Sequence, residues 1–124
     1  GQLFGKPRDP AQAMQRLQQM SGRTGTLLTG HWLAAPHSAV AVGGVASTDV
    51  TIAELDLGDI EAYIATGEPL HVAGSFTLDG LGGAFVEAVS GDPSNVIGVS
   101  LPLVRILVGE LGFSWPSLWI HPDR

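Results

Sequence analysis

Between Tyr63 and Gly98 glycine and proline return so often that no long element can form: Thr66-Gly67-Glu68-Pro69, Val72-Ala73-Gly74, Leu78-Asp79-Gly80-Leu81-Gly82-Gly83 and Gly91-Asp92-Pro93-Ser94-Asn95 follow one another. Glycine opens backbone conformations that other residues avoid, and proline locks φ and removes a donor. Such a series therefore permits only short strands and helices joined by tight turns. The 17 glycines and 8 prolines come with 44% apolar residues, which sets the chain apart from a disordered tail. A chain of 124 residues is one domain, able to remove about two thirds of its unfolded surface from water. The expected class is a loop-rich α/β domain.

Local patterns predict the elements. Asp9 caps and Pro10 opens a helix over Ala11 to Met20, where Met14, Leu17 and Met20 recur at helical spacing before Ser21-Gly22. Thr24 to Leu33 and Ala39 to Ile52 read as adjacent, antiparallel strands, with a bulge or turn expected at Gly43-Gly44. Asp56 to Gly67 reads as a second helix, with Ile60, Tyr63 and Ile64 on one face, and Glu68-Pro69 as extended backbone after it. Ser75 to Leu78 and Ala84 to Val89 are candidate strands. Leu103 to Leu111 is a third helix, entered through Pro102 and closed by Gly112.

Charge narrows the function classes. Twelve carboxylates against six Lys and Arg give a net charge of −6, and no cationic cluster is present to track a nucleic acid backbone. A nucleotide remains compatible with this balance, because a few focused donors and a divalent cation can hold a triphosphate. Zero cysteines exclude a disulfide scaffold and a thiolate zinc site. The most apolar windows, 32–46 and 96–108, are broken by Pro36-His37 and by Pro102 and Arg105, short of the ~20 residues that cross a bilayer. With no basic-then-apolar opening, the expectation is a soluble cytoplasmic protein.

Few residues offer chemistry. Lys6 sits on a glycine-proline turn three residues before a helix cap, where backbone donors also favour anions. Glu68 could orient His71 or Arg23 or ligate a metal, and Asp79 could accept from a base N–H or sit in an Asp-Gly turn. His71 could meet a triphosphate as an imidazolium or be a loop residue. Asn95 reads as a structural turn residue. His31, His37, His71 and His121 lack metal-site spacing, no Gly-x-Ser-x-Gly elbow exists, and the segment ending at Lys6 is not a Walker loop.

Taken in order, Gly5-Lys6-Pro7-Arg8-Asp9, Tyr63-Ile64-Ala65-Thr66-Gly67-Glu68-Pro69, Ala73-Gly74, Leu78-Asp79-Gly80 and Gly91 through Gly98 resemble the Maf family of nucleoside triphosphate pyrophosphatases, from Phe4 to about Gly112. The resemblance implies a mixed sheet flanked by helices with a nucleotide cleft, and hydrolysis of a nucleoside triphosphate to monophosphate and pyrophosphate. It also implies a divalent cation, Mg or Mn, and a homodimer. It casts Lys6 as a phosphate contact and places Asp79, Glu68 and His71 around the substrate. Asp79 stands where many members carry glutamine, His71 departs from the family pattern, and two extra residues separate Gly98 from Pro102. The Ser-x-Arg-Arg loop and the aspartate of an Asp-Thr/Ser-x-Val segment do not occur in the sequence. The chain thus resembles the C-terminal two thirds of a member, with the catalytic aspartate expected upstream of Gly1. Residues 1–112 form the expected domain and 113–124 a tail, whose Trp115 and Trp119 pack back on the domain or meet another subunit. The rival expectation is a nucleotide-binding or interaction module that needs another chain.

Overall fold

The computed structural model describes residues 6–37, 39–71, 76 and 78–119. Helix α1 spans Pro10–Met20; the Asp9 carboxylate accepts the Gln12 N–H at 2.8 Å, and Pro10 occupies the first turn, where its missing donor costs nothing. Two long strands follow, β1 (Thr24–Ala34) and β2 (Ala41–Ile52), antiparallel from Thr24 opposite Thr51 to Ala34 opposite Ala41. Helix α2 (Leu57–Ala65) is capped by Asp56 and followed by a left-handed Gly67 at φ 78°. After 3-10 turns at Glu68–Leu70 and Leu81–Phe85 come β3 (Val86–Ser90), α3 (Pro93–Ile97) and α4 (Leu101–Glu110). The described strands form one antiparallel sheet in the order β1-β2-β3, with a register shift between Thr51 and Ile52.

The sheet's alternation decides where the core lies. Ile52 on β2, Leu17 of α1, Ile60 and Tyr63 of α2, and Phe76 form the buried cluster, with Met14, Val50, Phe85 and Val86 packed against it. Further along the same face His31, Thr48 and Asn95 are buried, and a Cβ on Gly44 would meet Leu103 of α4 at 3.3 Å. On the alternate positions Leu28, Trp32 and Val45 remain exposed. This packing of helices on a sheet is an α/β architecture. Among the described residues no helix is long and apolar enough to cross a membrane.

Several expectations change. Gly43 and Gly44 make no bulge: the ladder runs through them, and Gly43 lies so close under the Trp32 ring that an added Cβ would come within 2.4 Å of it. Glu68-Pro69 is not extended; it winds into a 3-10 turn whose side chain reaches back into the chain. The strand expected at Ala84 starts at Val86, because the preceding segment coils as a 3-10 turn. Of the strand expected over Ser75 to Leu78, residues 75 and 77 lie outside the described residues, Phe76 is in no strand, and Leu78-Asp79 is a turn. Helix α4 starts two residues early, with Ser100 as cap and Pro102 within its first turn. In the tail Trp115 is half-buried, whereas Trp119 is 58% exposed.

Candidate functional site

The buried core of α2 leads directly to the first polar centre. Tyr63, 3% exposed, stacks on Phe76 at 5.6 Å and meets Phe85 edge-on at 5.6 Å. Its hydroxyl donates to Glu68 Oε1 at 3.1 Å, the same oxygen that accepts the Gly82 N–H at 3.1 Å, while Oε2 accepts the Leu81 N–H at 3.0 Å. Gly80 has no side chain to cap the 3-10 turn that starts at Leu81, so a glutamate thirteen residues upstream caps it instead. Partial burial pushes the Glu68 carboxyl up, but the Gly82 and Leu81 amides and the Tyr63 hydroxyl outweigh it and hold the acid below its ordinary range.

The sequence candidates gather unevenly around this centre. His71 and Asp79 are exposed, His71 at the end of the Glu68–Leu70 turn and Asp79 within the turn before Gly80. Lys6 is exposed three residues before the α1 cap, and among the described residues no hydrogen bond joins it to Glu68, His71 or Asp79. Among the described residues no three carboxylate, imidazole or thiol side chains converge on one point. They therefore do not make a complete set of ligands for the divalent cation expected from sequence. An open apolar groove of about 460 Å³ between α1 and α2 is lined by Pro10, Met14, Glu61 and Ile64, and none of the four candidate residues borders it.

A second polar centre went unread in the sequence. Asp92 caps α3 and ties it to α4: its carboxylate accepts the Ser94 N–H at 2.9 Å, the Ser94 hydroxyl at 2.7 Å and the Ser100 hydroxyl at 2.6 Å. The Ser94 hydroxyl in turn accepts the Leu101 N–H at 3.0 Å. Ser100 N–H donates to His31 Nε2 at 3.0 Å, so that nitrogen is unprotonated and Nδ1 carries the hydrogen given to Thr29 O. Asp92-Pro93 repeats the cap-then-proline pattern of Asp9-Pro10, which was the available signal for α3. The Ser100 and Ser94 hydroxyls hold the Asp92 carboxyl below its ordinary range, against a smaller desolvation effect.

These two depressed carboxylates contribute to the response to acid. Each is ionised more readily folded than unfolded, so its contribution is complete above the ordinary carboxylate range and disappears as pH falls through the lowered folded values. The urea midpoint is expected to stay level near neutrality and to fall below that range. Asp92→Asn and Glu68→Gln should each flatten the fall; an unchanged slope in both variants would remove these groups from the explanation.

A family model described as Maf-like protein matches residues 2–111. A nucleoside triphosphate pyrophosphatase of Salinispora tropica is 50% identical over 119 residues, covering 96% of this chain and 53% of that protein. One from Nocardia farcinica is 46% identical over 127 aligned residues, covering 100% of this chain and 60% of that protein. A nucleoside triphosphate pyrophosphatase/Nudix hydrolase fusion protein of Bifidobacterium longum is 52% identical over 119 residues, 96% of this chain and 25% of the fusion. The chain spans a little over half the length of the first two relatives and a quarter of the fusion. With a matching family model across nearly its whole length and relatives about 50% identical over nearly all of it, the chain belongs to the family of Maf-like proteins.

Proposed function

We propose that this chain forms part of a nucleoside triphosphate pyrophosphatase, cleaving a nucleoside triphosphate between the α and β phosphates to give monophosphate and pyrophosphate. The observation that carries this reading is about 50% identity, over nearly the whole chain, to proteins bearing that name. Lys6 steadies the phosphates, Asp79 faces the base, and His71 borders the substrate. A divalent cation, Mg or Mn, supplies polarisation of the phosphates when bound. The water-activating aspartate and the Ser-x-Arg-Arg loop that the resemblance implies are not among residues 1–124. The substrates are modified or non-canonical nucleotides cleared from the cytoplasmic pool. The uncovered sheet face with Leu28, Trp32 and Val45 supports a homodimer.

The test is pyrophosphate release by the 124-residue chain with magnesium or manganese, against ordinary and methylated nucleoside triphosphates. If the chain turns substrate over, Lys6→Ala is expected to lower release by about a hundredfold, the scale of losing one donor to developing charge. A second reading is a module that holds nucleotide but needs another chain for turnover. Nucleotide binding by the folded chain without release would establish that reading over the first.

A further inference from the structure

Of the stretch from His71 to Gly82, the described residues Phe76, Leu81 and Gly82 are held at Tyr63 and Glu68. Its start is the 3-10 turn that carries Glu68 itself. At its middle Phe76, 9% exposed, lies stacked on the Tyr63 ring with the planes 20° apart. At its end the amides of Leu81 and Gly82 donate to the two Glu68 oxygens, and Gly82 is buried there. Asp79, exposed, comes three residues after Phe76 and two before Leu81. The Glu68 carboxylate already receives two amides and the Tyr63 hydroxyl. It points its charge into the chain, and an anion held below its ordinary range offers no attraction to a phosphate.

We infer that Glu68 is a positioning residue that latches the Asp79 turn and so sets base selectivity, without itself touching the nucleotide. This rests on the reading of Asp79 as the residue facing the base. The physical reason is donor counting. Three donors converge on a carboxylate with two acceptor oxygens, whereas a glutamine there has one oxygen and an NH₂ that confronts a donor. Glu68→Gln therefore keeps the side-chain shape and breaks the latch.

The experiment compares the wild-type chain, Glu68→Gln, Asp79→Ala and the double variant. The readouts are amide exchange and equilibrium binding of ATP, GTP, CTP, UTP and tripolyphosphate, the last presenting phosphates without a base. In Glu68→Gln, exchange at Leu81 and Gly82 should rise about tenfold, the scale of one lost charge-assisted hydrogen bond, with α1 and β2 protection unchanged. The ratio of affinities between the best and worst base should change by about fivefold, while tripolyphosphate binding stays within about twofold. The double variant should select bases no differently from Asp79→Ala alone. A loss of tripolyphosphate affinity in Glu68→Gln, or additive effects in the double variant, would make Glu68 a direct ligand and overturn the inference. If the wild-type chain binds neither nucleotide nor tripolyphosphate, the proposed function fails for this chain. The latch itself is then decided by exchange at Leu81 and Gly82, where unchanged rates reject it.

Discussion

Tyr63→Ala is expected to destabilise the chain by about 3–5 kcal/mol, the range for removing a buried aromatic side chain. For a domain of this size, whose whole stability is on the order of 6–19 kcal/mol, that is a large share. The ring is 3% exposed and holds Phe76 and Phe85 in stacked and edge-on contact, each such pair adding about 0.5–1.5 kcal/mol beyond its buried area. Tyr63→Phe separates packing from hydrogen bonding, since it keeps the ring and deletes only the donor to Glu68 Oε1. Its cost should be about 1–2 kcal/mol, because the Leu81 and Gly82 amides still satisfy the carboxylate. Urea unfolding at constant m-value measures both. Equal losses in the two variants would show that the hydroxyl, and not the aromatic cluster, carries the residue's contribution.

Asn95→Asp, a change of almost no volume, should cost about 3–5 kcal/mol at neutral pH, as expected for an uncompensated buried charge. Asn95 is 1% exposed, and its Nδ2 donates to Thr48 Oγ1 at 3.1 Å and to Leu27 O at 3.4 Å. The Thr48 hydroxyl is itself committed as donor to Asp92 O at 2.9 Å, so two acceptors face the amide nitrogen and fix the amide's orientation. Oδ1 already lacks a partner. An aspartate would therefore find acceptors on one side and no donor on the other. Its folded-state pKa would rise, so the stability it retains is present below the unfolded carboxylate range and is lost as pH climbs through the raised folded value. Asn95→Ala should cost less, about 1–3 kcal/mol, from the lost hydrogen bonds and the space left behind. Urea midpoints at neutral and acid pH decide the matter. An aspartate variant more stable than the alanine variant at neutral pH would contradict the donor arithmetic.

The opposed acid responses expected of the Glu68 and Asp92 carboxylates and of Asn95→Asp follow from two kinds of polar surroundings. At Asp92 and Glu68 a carboxylate is surrounded by donors, and ionisation belongs to the folded state. At Asn95 the surroundings are acceptors, so only a donor fits. Neither environment is visible in the local sequence, where Asp92, Ser94 and Asn95 stand almost side by side.

Local signals were legible wherever one principle acted alone. The Asp9-Pro10 start of α1, the two long strands and the Asp56 cap of α2 follow from capping chemistry and periodicity. Misreadings arose where a distant group intervened. Glu68-Pro69 was expected to be extended, but its side chain is engaged by Tyr63, Leu81 and Gly82, and the backbone coils to deliver it. Gly43 suggested a break in the strand, although its missing side chain makes room for Trp32 across the ladder. Helix α3 is not legible in the sequence, because five residues carry too little periodicity.

The sequence by itself determined the family, the α/β class and the antiparallel pair of long strands, since these depend on short motifs and on residues near one another in the chain. Only the tertiary structure decided that Glu68 caps the turn at Leu81 from thirteen residues away and that Asp92 binds two helices through Ser94 and Ser100. It likewise decided that His31 of β1 meets Ser100 at the start of α4. The reason is that a carboxylate or imidazole takes its role from the donors and acceptors packed around it, and those arrive from segments that only folding brings together.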